Sequence, residues 1–487
     1  MEPVWLGIDL GTQSVRVLAA RADGSLAASA TEPLRSTRVD GRHEQSPESW
    51  WRAVVLCCRG VVRGLGSATE IAGLAVDATS GTILLMDENL RPLTAGLMYD
   101  DARALEEAEL VNRAGGALWD EMSYRMQPSW ALPKLLWLHQ HGEISRGARL
   151  AHQSDYINAR LAGRLLAADS SNSLKTGYDL IRGCWPGDIF EELGLERDLF
   201  PEVVAPGQMI GEVGPDAARE TGLPLHTPIV SGMTDGCAAQ IASGATLPGS
   251  WHTVIGTTLV LKGVTEDLLH DVSGVIYSHR SVDGLWLPGG ASSTGAGAIA
   301  QEFGTAELED LNREALRSER TALVIYPLVG RGERYPFSAR EAHGFSLGEA
   351  TSRTDRFAAT LQGIAFIERL AFDALWHAGA DMSGPLSTSG GATRSEALNQ
   401  IRADVLGREL AIPRIAEGAF GMAMLAAAHS SSMREVTECM VHMERTISPQ
   451  RRFAAYAEPY SRLIHELRRR EWLSEDLAGA TLARVHL

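Results

Sequence analysis

Gly7-Ile8-Asp9-Leu10-Gly11-Thr12-Gln13-Ser14 follows an apolar, β-prone run that begins at Val4, and Val15–Ala20 resumes the run on the far side. The pattern predicts a strand, a tight glycine turn and a return strand, with Asp23-Gly24 turning the chain again into Ser25–Thr31. Asp9 is the informative residue, because a carboxylate at the end of a buried strand is costly unless it is used. Followed by a glycine turn with the hydroxyls of Thr12 and Ser14, it suits two linked jobs. Backbone N–H and hydroxyl groups hydrogen-bond phosphate oxygens, and the carboxylate holds a hydrated Mg²⁺. A plain hairpin with a polar turn accounts for the same residues equally well at this point.

Working outward, the pattern returns once. Trp251–Ile255 reads as a strand, Gly256-Thr257-Thr258 as a turn and Leu259–Val264 as its return strand. Two such turns in separate halves could hold one phosphate chain, although a single repeated hairpin is a slight sign of duplication. Between them, Ser46-Pro47 reads as a helix start with Ser46 as N-cap. Ile71–Ala78 is a strand ending at an acidic residue and the Thr79-Ser80-Gly81 turn, with Thr82–Met86 expected as its hairpin partner. Prolines at 201, 206, 215, 224 and 228 mark loops before Ile229-Val230-Ser231-Gly232-Met233-Thr234-Asp235-Gly236. There Asp235 stands near the start of a small-residue helix. It is either an ordinary N-cap carboxylate or a general base positioned for a substrate hydroxyl. Downstream come a long apolar helix at Phe357–Ala378, a strand-to-helix turn at Gly390-Gly391, and a small-residue helix at Gly418–Ala428. The Gly-Gly pair fits either close helix packing or backbone lying flat against a nucleotide. The Arg468-Arg469-Arg470 tail reads as a solvated helix face.

Composition bounds what this chain does. At roughly 150 residues per domain, 487 residues imply about three domains or two large ones. With 45 Lys+Arg against 61 Asp+Glu, the charge is 45 − 61 = −16, which excludes nucleic acid as partner. The three lysines, Lys134, Lys175 and Lys262, lie outside any Walker-type phosphate loop, so anions must be bound by backbone, hydroxyls and metal. Five cysteines without a C-x-x-C pair predict reduced thiols in a cytoplasmic protein. Asp9 interrupts the first apolar run, so neither signal peptide nor membrane anchor is expected. His43, His139, His141 and His429 lack metal-ligand spacing, and no H-E-x-x-H or G-x-S-x-G pattern occurs.

These elements, in this order, resemble the FGGY carbohydrate kinases of the actin-like and Hsp70-like ATPase superfamily. The resemblance rests on Gly7–Arg16, Thr234-Asp235-Gly236, Ile255-Gly256-Thr257-Thr258, Ser389-Gly390-Gly391-Ala392, Glu417–Ala423 and the closing Ile447-Ser448-Pro449. It implies an α/β fold of two ribonuclease-H-like domains with an interdomain cleft, a sugar-binding domain at 1–248 and an ATP-binding domain at 249–487. It implies ATP and Mg²⁺ as cofactors, a small sugar as partner, and no membrane; a homodimer is left open. Position by position, Asp9 would organise Mg²⁺, Thr12 and Ser14 would approach the transferred phosphate, and Asp235 would be the base. Gly256 and Thr257 would hold β/γ-phosphate oxygens, Gly297 and Gln301 would contact the nucleotide, and Gly390, Gly391 and Ser395 would border the adenosine. The Asp77-Ala78-Thr79-Ser80-Gly81 stretch is most similar to the D-ribulokinase/xylulokinase-like branch, in which Ser80 and Asp235 would share the sugar. Asp101 and Arg103 are further candidates for the sugar site, or else an ion pair within a loop. The resulting expectation is transfer of a phosphoryl group to a primary hydroxyl of a ketopentose, D-ribulose ahead of D-xylulose. An actin-like ATPase that closes on a sugar without transferring phosphate is the competing class, and a retained base at Asp235 argues against it.

Overall fold

The computed structural model describes residues 2–66, 69–317 and 321–485. Contacts divide the chain into two compact units. The first is Met1–Thr246 with His279–Leu287 and Ile415–His442; the second is Leu247–Ser278 with Pro288–Arg414 and Met443–Leu487. The first crossing thus falls beside the expected 248/249 boundary, but the units are not the two continuous stretches 1–248 and 249–487. The physical reason lies in the helix Gly418–Ala428, which is apolar on every face and almost wholly buried. Such a helix cannot lie on a surface, and it finds its cover in the first unit.

In the first unit, among the described residues, a six-stranded sheet is built from β1 (Glu2–Leu10), β2 (Ser14–Arg21), β3 (Leu26–Pro33), β4 (Thr69–Ala78), β5 (Met209–Glu212) and β6 (Pro228–Val230). Its order is β5-β6-β4-β1-β2-β3. β1 runs antiparallel to β2 and parallel to β4. Alternation sorts the two faces. Leu6, Ile8 and Leu10 share a core with Trp50, Val54 and Cys58 of the helix Pro47–Gly64. Gly7 and Asp9 face the other way. A methyl on Gly7 would stand 1.6 Å from the Ala419 carbonyl oxygen, so only glycine lets the helix Gly418–Ala428 lie flat on the strand.

Two local expectations change. Ser46 precedes the helix in extended backbone but its side chain makes no cap bond; the Ser49 amide and hydroxyl both donate to the Ser46 carbonyl instead. Ile83–Met86 does not pair back onto β4. It joins a five-stranded sheet, antiparallel to Gly96–Leu97 and Arg149–His152. The redirection occurs at Gly81, whose φ of 93° turns the chain away from the β4 register.

The second unit repeats this plan. Its sheet comprises β7 (Trp251–Ile255), β8 (Leu259–Gly263), β9 (Tyr277–Arg280), β10 (Trp286–Ser292), β11 (Leu386–Ser389), β12 (Leu410–Pro413) and β13 (Met443–Ile447), of which residues 279–280 and 286–287 are counted with the first unit. The strand order is β9-β10-β8-β7-β11-β12-β13. β7 is antiparallel to β8 and parallel to β11, as β1 is to β2 and β4. The echo at residue 251 is therefore a strand-for-strand repeat of a sheet, with β9 as an addition. The helix Arg353–His377 packs Phe357, Leu361, Ile364 and Leu375 into its core. Inside that core Arg402 and Glu368, both wholly buried, form a two-bonded ion pair at 2.6 and 2.8 Å. The same guanidinium donates to Thr253 Oγ1 on β7 and Thr388 Oγ1 on β11, bracing the two central strands.

Candidate active site

Register places the first feature of the site. Asp9, next to last on β1, lies directly opposite Asp77 on β4 and Arg16 on β2. Asp77 is completely buried, and neither of its oxygens receives a hydrogen bond from a protein donor. Both oxygens stand against Gly418, whose missing Cβ would lie 3.1 and 3.3 Å from them, at the N-terminus of the helix Gly418–Ala428. Partial positive charge at a helix start favours an anion there. Arg16 is paired at 3.0 Å with Glu417. Burial first, and then the charge of Asp235, push the Asp9 carboxyl up to about 6, against opposing effects of Asp77 and Arg16. Burial, with Asp9 and Asp235 beside it, holds Asp77 well above the ordinary carboxylate range. Burial and like charge thus act in the same direction on both carboxyls, favouring their neutral forms.

Asp235 opens the helix Asp235–Ala242, immediately after Thr234. Thr234 bridges to Ala78 at the end of β4, and its N–H donates to Ser171 Oγ at 3.2 Å. Asp235 is exposed, and its Oδ1 accepts the Gly236 N–H at 2.7 Å. Its charge reaches both Asp9 and Asp77, so three carboxylates gather at one end of the sheet. Thr12 and Ser14 occupy the β1–β2 turn, half-buried; Gln45 Nε2 holds the Thr12 carbonyl at 2.7 Å. Ser80, on the turn after β4, has a buried hydroxyl without a partner.

Lys134 ties the Ser80 turn down. Its ammonium, wholly buried, donates to the carbonyls of Gly81 (2.7 Å), Leu97 (3.2 Å) and Met98 (2.7 Å). Burial lowers its pKa to about 7, with Asp101 opposing. Asp101 and Arg103 are joined in the interior and not at a surface. Asp101 is wholly buried, accepts two bonds of 2.8 Å from the Arg103 guanidinium, and takes the His43 N–H at 2.7 Å. Burial would raise the Asp101 pKa, but these donors outweigh it and hold the carboxyl below its usual range. Arg103 also reaches Glu44 and stacks 5.0 Å from the Trp137 ring. Both side chains are thereby committed to each other and to the loop they shape.

The donor set near Asp9 fits a hydrated divalent cation. Mg²⁺ is held by one or two carboxylates with water and phosphate completing the shell, and a buried carboxylate lacking donors is the group such a cation would relieve. Among the described residues no cluster of three or more His, Cys, Asp or Glu is arranged as a protein-only cage.

In the second unit, two of the predicted nucleotide residues, Gly391 and Ser395, line a cavity of about 720 Å³, while Gly297, Gln301 and Gly390 lie outside its lining. Ile299, Phe303, Leu308, Leu316 and Phe357 make its apolar wall, while Asn312, Gly391, Arg394 and Ser395 bring polar groups to it. Gly390 has φ 93°, and a side chain there would strike the Ile255 carbonyl at 2.5 Å; Gly391 faces open space. So does Gly256, in the turn after β7. Gly297 is pressed against Thr257, and its N–H donates to the Thr257 carbonyl at 3.1 Å. Gln301 is exposed on the short helix Gly297–Glu302 and is not part of the cavity lining. Ser395 caps the helix Glu396–Leu406 through the Leu398 N–H and donates to Asn312 Oδ1, so its hydroxyl is already engaged. A crevice at the carboxyl ends of parallel strands is where open α/β sheets bind ligands.

Sequence reasoning passed over Asp77, Lys134 and Asn312. Asp77 carried a usable sign, since an acid closes the β4 run as Asp9 closes the β1 run. Nothing in the local sequence marks Lys134 or Asn312, whose bonds to Gly81, Met98 and Ser395 span 36 to 83 residues.

Comparison with known proteins matches most of the chain to one family. The profile of the FGGY family of carbohydrate kinases, N-terminal domain, matches residues 4–242, and that of the C-terminal domain matches residues 252–430. A xylulose kinase from Klebsiella pneumoniae is 26% identical over 96% of this chain and 99% of its own. An apulose kinase from Pectobacterium atrosepticum is 27% identical over 84% and 86%. A crystal structure of a "xyloylose kinase" from Brucella ovis superimposes with a TM-score of 0.86 at 24% identity, covering 97% of this chain and 100% of that one.

Proposed function

This chain belongs to the FGGY family of carbohydrate kinases and is a phosphotransferase, and we propose that it moves the terminal phosphoryl group of ATP to a primary hydroxyl of a ketopentose. The observation that carries the reading is the gathering of Asp235, exposed at a helix start, with the Asp9–Asp77 carboxyl pair. Phosphoryl transfer has a loose, highly charged transition state, so positioning and electrostatics supply most of the acceleration. Asp235 accepts the proton of the sugar hydroxyl as that oxygen attacks. Its rigid seat, pinned through Thr234 to Ser171 and to β4, keeps the carboxylate aimed. Ser80 hydrogen-bonds the sugar, which gives its buried hydroxyl a partner. The Thr12 and Ser14 hydroxyls approach the transferred phosphate, and the Gly256–Thr257 turn holds β/γ-phosphate oxygens through the Thr257 N–H and hydroxyl, the Gly256 N–H being given to the Thr258 carbonyl at 3.0 Å. Adenosine occupies the cavity beside Gly391 and Ser395. Asp9 and Asp77 would hold Mg²⁺, which when bound neutralises phosphate charge.

D-Ribulose is the first candidate substrate, because the Ser80 turn has the D-ribulokinase-like residues. D-Xylulose is the second, supported by the name of the Klebsiella relative. An ADP-release screen over D-ribulose, D-xylulose, L-ribulose, ribitol and glycerol, with Asp235→Ala as control, decides. Sugar-independent ADP release unaffected by that substitution would sink the kinase reading, and turnover of glycerol alone would sink the ketopentose assignment.

A further inference from the structure

Glu333 closes the strand Val324–Glu333 and is 3% exposed, yet it is not part of the cavity wall. Its Oε2 accepts Ser292 Oγ (3.0 Å), Thr294 Oγ1 (2.9 Å) and the Tyr326 hydroxyl (2.9 Å). Its Oε1 accepts the Ser293 N–H (2.6 Å) and the Arg334 N–H (3.0 Å). A carboxylate offers about four lone-pair sites, so this one is saturated. Three of those donors come from consecutive residues, Ser292-Ser293-Thr294, and Thr294 N–H donates in addition to Ser292 Oγ. The chain then runs straight into the phosphate turn. Gly295 would collide with Thr257 and Thr258 if it had a side chain, the Ala296 N–H donates to the Gly256 carbonyl at 2.8 Å, and the Gly297 N–H to the Thr257 carbonyl at 3.1 Å. The carbonyl side of the Gly256–Thr257 turn is thus held by a segment that Glu333 holds.

We propose that Glu333 is a positioning residue for phosphate binding, acting through residues 292–297 to fix the orientation of the Gly256–Thr257 turn; this rests on reading that turn as the β/γ-phosphate site. Backbone N–H groups bind phosphate well only when they are aimed beforehand, and removing the staple lets the turn rotate its carbonyls toward the ligand. A Glu333→Gln amide keeps the size but replaces an acceptor with a donor that faces other donors. A staple serving only the hairpin would weaken every nucleotide alike, whereas a phosphate-positioning role spares ligands that lack the β- and γ-phosphates.

Calorimetric titration with AMP and with AMP-PNP, each with Mg²⁺, separates the two. Glu333→Gln is expected to raise the Kd for AMP-PNP at least tenfold with the AMP value within about threefold, and Thr294→Val to raise the AMP-PNP value about threefold. Unchanged AMP-PNP affinity in folded Glu333→Gln, or parallel weakening of both nucleotides, overturns the proposal. Should Glu333→Gln fail to fold, Thr294→Val and Tyr326→Phe decide by the same ratio. If the wild-type protein binds AMP-PNP no better than AMP, the phosphate reading of the turn itself fails, and this assignment with it.

Discussion

His252 makes the second unit sensitive to acid in a way that can be calculated. It lies on β7, 2% exposed, with its ring nitrogens 2.9 Å from Ser387 Oγ and 3.0 Å from Ser389 Oγ. Burial first, with the nearby Arg402 charge assisting and the Ser387 contact opposing, lowers its pKa from 6.5 to about 3. The unfolded chain therefore takes up a proton near pH 6.5, while the folded one resists until near pH 3. Between those values the unfolded state binds more protons, so stability is full above about pH 6.5 and is lost as pH falls toward 3. At 1.36 kcal/mol per pH unit, lowering pH from about 7.5 to about 5 costs about 2 kcal/mol through this residue alone. His252→Gln removes the titration, keeps an amide within reach of a serine, and adds a packing loss that does not vary with pH. Carboxylate contributions are common to both proteins and cancel in their difference. Urea-dependent unfolding, read through amide exchange of peptides covering β7, reports on this unit separately. The stability advantage of wild type over His252→Gln is expected to shrink by about 2 kcal/mol between those two pH values. A difference that stays constant within about 0.5 kcal/mol, or that widens, would refute the reasoning.

Other perturbations test the site and its frame. Asp235→Asn should lower sugar-dependent ADP release by about 10²–10⁴-fold while ADP affinity, measured by calorimetry, holds within about twofold. Ser80→Ala removes the hydroxyl proposed to meet the sugar, so the sugar KM should rise about tenfold with the KM for ATP unchanged in steady-state assays. Glu368→Met alone leaves the Arg402 guanidinium buried and unpaired and should cost about 3–5 kcal/mol in urea unfolding, with the Glu368→Met/Arg402→Met pair recovering much of that loss. Chelation should abolish turnover reversibly, and Asp9→Asn should raise the Mg²⁺ concentration needed for half-maximal rate about tenfold.

The parts of this protein that were legible in one dimension are those with a local physical cause. Alternation around Gly11 and Gly256 identified two strand–turn–strand units, because burial of one sheet face repeats every second residue. The helix Gly418–Ala428 was legible to its ends, since its run of small apolar residues has no other use. Asp9 stood out because a carboxylate at the end of a buried strand is unusual, whereas Asp235, at a helix start where carboxylates are common, read equally as an N-cap. Partnership was not legible. That Asp77 faces Asp9 depends on the β1–β4 register across more than sixty residues of intervening chain. That Asp101 and Arg103 satisfy each other inside the protein depends on packing supplied by His43, Glu44 and Trp137. The return of Ile415–His442 to the first unit depends on which sheet can cover an all-apolar helix. Sequence alone determined the family resemblance and the positions of the two strand–turn–strand units, because those follow from side-chain type and short periodicity. Tertiary structure decided which carboxylates crowd one another, which hydroxyls lack a partner within the protein, and which segments hold the turns still. Those depend on desolvation and on distances between strands, which are set only when the sheets assemble.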